Sequence, residues 1–111
     1  MGLFDGMLGG IVGAEMATVV NGLIVRHGGV QGMVNQLRTG GLGPTVNSWI
    51  NEGPGAQVQP EEIHNAFGDK TMNEVAAEHG MSPEELAQKL AQVLPHAVDA
   101  LTPEGSVPNA G

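Results

Sequence analysis

Gly40-Gly41-Leu42-Gly43-Pro44-Thr45-Val46-Asn47-Ser48-Trp49-Ile50-Asn51-Glu52-Gly53 holds the chain's one tryptophan between glycines at both ends. Gly40 and Gly41 suit backbone with positive φ, which glycine reaches without a Cβ penalty. Gly43 reads as an N-cap, and Pro44 then takes the first helical position, where its missing N–H costs nothing. Val46, Trp49 and Ile50 stand at i, i+3 and i+4 and share one face of a short helix. Gly53 stops that helix as a C′ residue. The spacing is helical rather than alternating, so Trp49 reads as a core anchor and not as a platform for a stacked ligand.

Downstream, helix signals strengthen. Glu52 to Gln57, with Gly53, Pro54 and Gly55, is an irregular connection. Pro60 opens a helix with Glu61 and Glu62 in its first turn, complementing the helix dipole. Ile63, Ala66 and Phe67 face inward, and Gly68 ends it. Thr71-Met72-Asn73-Glu74 reads as a capping box, followed by Val75, Ala76 and the terminator Gly80. Ser82-Pro83-Glu84-Glu85 is a second capping box, with Met81 placed to staple onto Leu86. Leu86, Leu90, Val93 and Leu94 form one apolar face. Pro95 is expected to kink or break this helix, with Ala97, Val98 and Leu101 carrying the face onward. Residues 102–111 form a tail containing Pro103, Gly105 and Pro108.

Upstream, Val30, Met33, Val34 and Leu37 give two amphipathic turns behind the breaker Gly28-Gly29. Residues 1–27 are an apolar, glycine-rich helix or arm, and residues 28–101 are the helical domain. In the arm, Leu8, Val12, Met16, Val19 and Leu23 line up as one apolar stripe. Gly6, Gly10, Ala14, Thr18 and Gly22 recur every four residues beside it. Such rows of small residues let a second backbone approach closely. Each glycine costs a helix about 1 kcal/mol relative to alanine, a cost that tight packing offsets. Self-association is therefore expected through Gly6, Leu8, Gly10, Val12, Ala14, Met16, Gly22 and Leu23. The premise is that the other helices supply one core by themselves and leave this segment as surplus.

The glycine turn with Ser48-Trp49-Ile50, then Val58-Gln59-Pro60, resembles the YidB family of small bacterial proteins of unknown function. His79-Gly80-Met81-Ser82-Pro83-Glu84-Glu85-Leu86, Leu94-Pro95 and Asp99-Ala100-Leu101-Thr102-Pro103-Glu104-Gly105 continue the likeness. With Met1-Gly2-Leu3-Phe4-Asp5 it spans nearly the whole chain. Similar sequences usually carry Asn at the place of Gly55 and Ser or Thr at that of Gln59. Both Asn and Gly tolerate left-handed backbone, whereas Gln59 is a poorer N-cap. The resemblance implies an all-α fold and supplies no catalytic residues.

Composition narrows the functional classes. The chain has 111 residues, enough for one domain, with one tryptophan, two phenylalanines, no tyrosine and 18 glycines. The fold expected is all-α, a compact array of about six short helices. Twelve acids against four bases give a net charge of −8, which repels phosphate backbones and anionic lipid, so nucleic acid is not an expected partner. The chain has no cysteine, so thiolate chemistry and disulfides are excluded. Asp5, Glu15 and Asn21 interrupt the apolar segment, which also lacks the basic start of a signal peptide, so a cytoplasmic protein with no membrane span is expected.

Four kinds of site come into question. Residues 71–80 and 82–94 have helix-turn-helix spacing, but the leading residues of the would-be reading helix are Glu84, Glu85 and Gln88. His27, His64, His79 and His96 show no ligand spacing, so no metal or other cofactor is expected. Glu61-Glu62 and Glu84-Glu85 read as dipole partners rather than acid–base pairs. Gly40-Gly41-Leu42-Gly43 lacks the lysine and preceding strand of a phosphate loop. The resulting expectation is a non-enzymatic protein that associates with other proteins, foremost with copies of itself, in an oligomer or filament. A helix-turn-helix regulatory DNA-binding module is the alternative.

Overall fold

A computed structural model describes residues 5–107, with side chains from residue 9 onward. The helices are α1 (Asp5–Val12), α2 (Ala14–Arg26), α3 (Val30–Leu37), α4 (Gly43–Glu52), α5 (Pro60–Phe67), α6 (Asp69–Glu78) and α7 (Pro83–Leu101), with a kinked turn (Arg38–Leu42) between α3 and α4. No strand occurs among the described residues. The all-α reading holds, and the helical segments are those the spacing predicts, with one division added. Gly13, at φ 90° and ψ 155°, splits the expected N-terminal helix into α1 and α2. Only glycine takes that conformation cheaply.

The glycine-bracketed stretch turns the chain as expected but with shifted capping. Gly41 (φ 100°) makes the positive-φ reversal, whereas Gly43 is already helical at φ −52° and ψ −59°. Pro44 therefore sits at the second helical position, with Leu42 preceding the helix. Gly40 is constrained by contact instead: a Cβ there would lie 2.5 Å from the Cα of Ala66, so the turn rests directly on the backbone of α5. Gly53 (φ 107°) ends α4. Gly55, read as a left-handed turn position, is not one of the positive-φ glycines.

Trp49 is fully buried, and its indole Nε1–H donates to the Ala56 carbonyl at 2.8 Å. That bond fixes the connection between α4 and α5 against the core while satisfying a polar group that burial would otherwise penalise.

α7 lies at the centre, packed against α1, α2, α4, α5 and α6. Its buried residues Leu86, Leu90, Leu94, Ala97, Val98 and Leu101 meet Val46 and Trp49 of α4, Ile63 and Phe67 of α5, and Met72 and Val75 of α6 in one cluster. Met16, Ala17, Val19, Val20, Leu23 and Ile24 of α2 belong to the same cluster. The supposed surplus of the N-terminal segment is thus largely used up inside this chain. At 12.5 Å, the radius of gyration matches the ~13 Å of a single compact body of about 100 residues.

Two helix ends repeat one solution. At α2, Gly29 N–H donates to Ile24 and Gly28 N–H to Val25; at α6, Met81 N–H donates to Ala76 and Gly80 N–H to Ala77. Both are Schellman arrangements with a positive-φ glycine after a histidine, Gly28 after His27 and Gly80 after His79. Each histidine donates from Nδ1 to the carbonyl four residues back, Leu23 at 2.7 Å and Val75 at 3.0 Å.

Two local expectations are corrected. The Thr71 capping box does not form, because Gly68 (φ 90°, ψ 158°) lets α6 start at Asp69. Pro95 does not end α7, which continues to Leu101. Gln59, read as a weak cap, precedes α5 with its N–H held by the Glu62 carboxylate at 2.9 Å. The Ser82 cap stands as read: its Oγ accepts from Glu85 N–H at 3.1 Å. After α7, Thr102 is buried, with its hydroxyl donating to the Val98 carbonyl at 2.8 Å, and Val107 packs against the core.

Candidate interaction surfaces

The residues expected to mediate self-association divide into an inner and an outer set. Met16 and Leu23 are buried in this chain's own core, and Val12 packs against it, so the apolar stripe faces inward and is not a docking surface in this conformation. The small-residue row is the opposite face. Gly10, Ala14 and Thr18 are exposed and Gly22 is half-buried. Gly6 and Leu8 lie outside the residues whose side chains are described.

On α2, Ala14, Thr18, Gly22 and Val25 follow one another at i, i+4, i+8 and i+11, a single stripe turned away from the core. Val25 is 71% exposed and Ile11, at the end of α1, is 47% exposed; these are the exposed large hydrophobics of the described chain. A Cβ added at Gly9, Gly10 or Gly22 would meet nothing within 4 Å. Contacts within the chain therefore give no reason for glycine at these places.

The charged surface is arranged around two of the four bases. Arg26 of α2 donates to Glu74 at 2.9 Å and Glu78 at 2.6 Å, clamping α2 to α6. Its hydrogen bond to Glu74, with Glu78 assisting, holds the guanidinium pKa above its ordinary value. Lys89 of α7 reaches Glu15 of α2 at 2.9 Å and Glu85 at 3.3 Å. Its hydrogen bonds to Glu15 and then Glu85 raise its pKa above the ordinary lysine value. Such exposed pairs are screened by solvent and contribute little to stability.

α7 buries Leu86, Ala87 and Leu90 at the centre of the fold, while Glu84, Glu85, Gln88 and Gln92 point outward. That outer face carries negative and neutral groups where a DNA-reading helix carries basic ones.

The concave feature is a trough between α7 and the connection from α4 to α5. One cavity, of about 480 Å³, lies between residues 54–58 and the Gln88–His96 part of α7. A second, of about 330 Å³, adjoins it between α5 and the start of α7, with Pro60 and Gln88 lining both. His64 lines the second and pairs with Asp69. Spacing alone could not reveal this trough, since it joins residues about 30 apart. Among the described residues, no group of three His, Asp or Glu side chains could hold a metal, and no helix is long and apolar enough to cross a membrane.

The architecture defines a small all-α protein, a single array of short helices wrapped around one long central helix. The chain belongs to the YidB-like protein family, which matches residues 1–110. It is 29% identical over 110 residues to Uncharacterized protein YidB of Escherichia coli (strain K12), a match covering 96% of this chain and 83% of that protein. No solved structure matches it.

Proposed function

We propose that this protein works without catalysis, through protein–protein contacts, and that its first partner is another copy of itself docked on the outward face of α2. The supporting observation is the set of glycines without an internal purpose: Gly9, Gly10 and Gly22 have open space where a side chain would go. In water each destabilises its helix by about 1 kcal/mol relative to alanine. Close approach of a second backbone along Ala14, Thr18 and Gly22 gives that cost a function, and Val25 adds exposed apolar area beside it. If the two contacting patches differ, the contact is head-to-tail and builds rings or filaments.

The test is the mass of the full chain in solution as concentration rises, by light scattering. Mass should increase in the wild type, while Gly22→Leu should stay monomeric. Because a Cβ at position 22 meets nothing within 4 Å in the monomer and leucine is the better helix former, Gly22→Leu should melt no lower than wild type. A wild-type chain that remains monomeric at high micromolar concentration overturns the reading. A chain lacking residues 1–25 would lose six α2 side chains from the core and so would not isolate the contact.

A further inference from the structure

We propose that the trough between residues 54–60 and α7 binds an extended peptide segment of a different protein, uncharged over most of its length and carrying a lysine or arginine that meets Glu61 and Glu84. The two cavities run together through Pro60 and Gln88, which makes an elongated trough rather than a pit. One wall is a stripe of α7, with Glu84, Gln88, Ala91 and Pro95 three or four residues apart. Pro95 has no N–H to give to the carbonyl of Ala91, so an acceptor is left over where Ala91 lines the trough.

The other wall is the connection from α4 to α5, residues 54–58. Gln59 is extended at φ −91° and ψ 149°, residues 57 and 58 belong to no helix, and the N–H and C=O groups of Gln57 and of the buried Val58 form no hydrogen bond with other described residues. A second extended chain laid beside them finds donors and acceptors at backbone spacing, which is how peptides are held largely independent of sequence. Exposed Gln88 and Gln92 add amides that can both donate and accept. Selectivity comes from charge. Neither cavity is lined by lysine or arginine, whereas Glu61 and Glu84 stand at one end, beside Pro60 and Ala87. The apolar pair accommodates the stem of a long basic side chain while the carboxylates meet its head. This surface shares no residue with the outward face of α2, so it does not depend on self-association.

The experiment pans the immobilised full chain against phage-displayed random dodecapeptides, with Gln88→Lys and Glu61→Gln/Glu84→Gln chains in parallel. Wild type should enrich peptides containing lysine or arginine over the starting library. The best of them, as a synthetic peptide, should bind about fivefold or more weakly to Gln88→Lys. The double variant should lose the preference for basic residues. All three positions are exposed, so each variant should fold. Amide chemical shifts of the wild-type chain should move at Gln57, Val58, Gln88 and Gln92 when the peptide is added. Enrichment no greater than on bare support, enrichment indifferent to charge, or shifts confined to Ala14–Val25 would each overturn the proposal. Should Gln88→Lys fail to fold, the wild-type shift map decides alone.

Discussion

At the scale of single residues, Trp49 and Gly40 show two different ways in which one position holds the fold. Trp49 is wholly buried and donates to Ala56, so truncation removes both a large apolar volume and a satisfied polar contact. Trp49→Ala should lose about 3–5 kcal/mol by urea denaturation, enough to leave a small domain largely unfolded. Trp49→Phe separates the two contributions. It keeps most of the apolar area but leaves the Ala56 carbonyl without its donor, and should cost about 1–3 kcal/mol with the helical content intact. Gly40→Ala is predicted to destabilise by about 1–3 kcal/mol, because its Cβ would press into the Ala66 backbone, which cannot yield as a flexible side chain would. Near-native melting of Gly40→Ala would mean that the turn and α5 separate freely. The role of Trp49 was legible from its spacing with Val46 and Ile50. That of Gly40 was not, since its partner lies in another helix. Gly32 is a like case, since a Cβ there would run into the His27 carbonyl.

At the scale of elements, the sequence marks helix ends well where a side chain makes the cap and poorly where a glycine conformation does. Ser82 caps α7 as its spacing to Glu85 predicts, whereas Thr71, with the same spacing to Glu74, lies two residues inside α6. Ser82→Ala should therefore cost about 1 kcal/mol and Thr71→Ala clearly less, compared by thermal melting. Equal losses would contradict the assigned start of α6. The cause is Gly68, whose positive φ joins α5 to α6 without leaving room for a conventional cap. Gly13 acts in the same way between α1 and α2, and nothing in the sequence distinguishes it from the neighbouring glycines at 9 and 10. The trough was equally hidden. Its walls come from a connection and from the far side of α7, and the apolar periodicity of α7 reports only the face turned toward the core.

At the scale of the whole molecule, the distribution of charge decides between partners. Two of the four bases are already committed, Arg26 to Glu74 and Glu78, and Lys89 to Glu15 and Glu85. With net charge −8 and little uncommitted positive charge, the chain should ignore duplex DNA even at low ionic strength, where phosphate contacts are strongest. Salt-sensitive nanomolar binding to random duplex, read by fluorescence anisotropy, would instead support the helix-turn-helix alternative. The same charge bears on self-association with a definite sign. Two copies approaching through α2 bring like charges together, while the contacting row of Ala14, Thr18, Gly22 and Val25 is itself uncharged. Screening should weaken the repulsion and leave the contact untouched, since the Debye length falls from ~30 Å at 0.01 M to ~8 Å at 0.15 M salt. The apparent mass of the full chain at fixed concentration should therefore rise between those two salt concentrations. A mass that falls as salt is added would mean that ion pairs hold the copies together, and the docking face would then have to be sought among the charged surfaces of α5, α6 and α7.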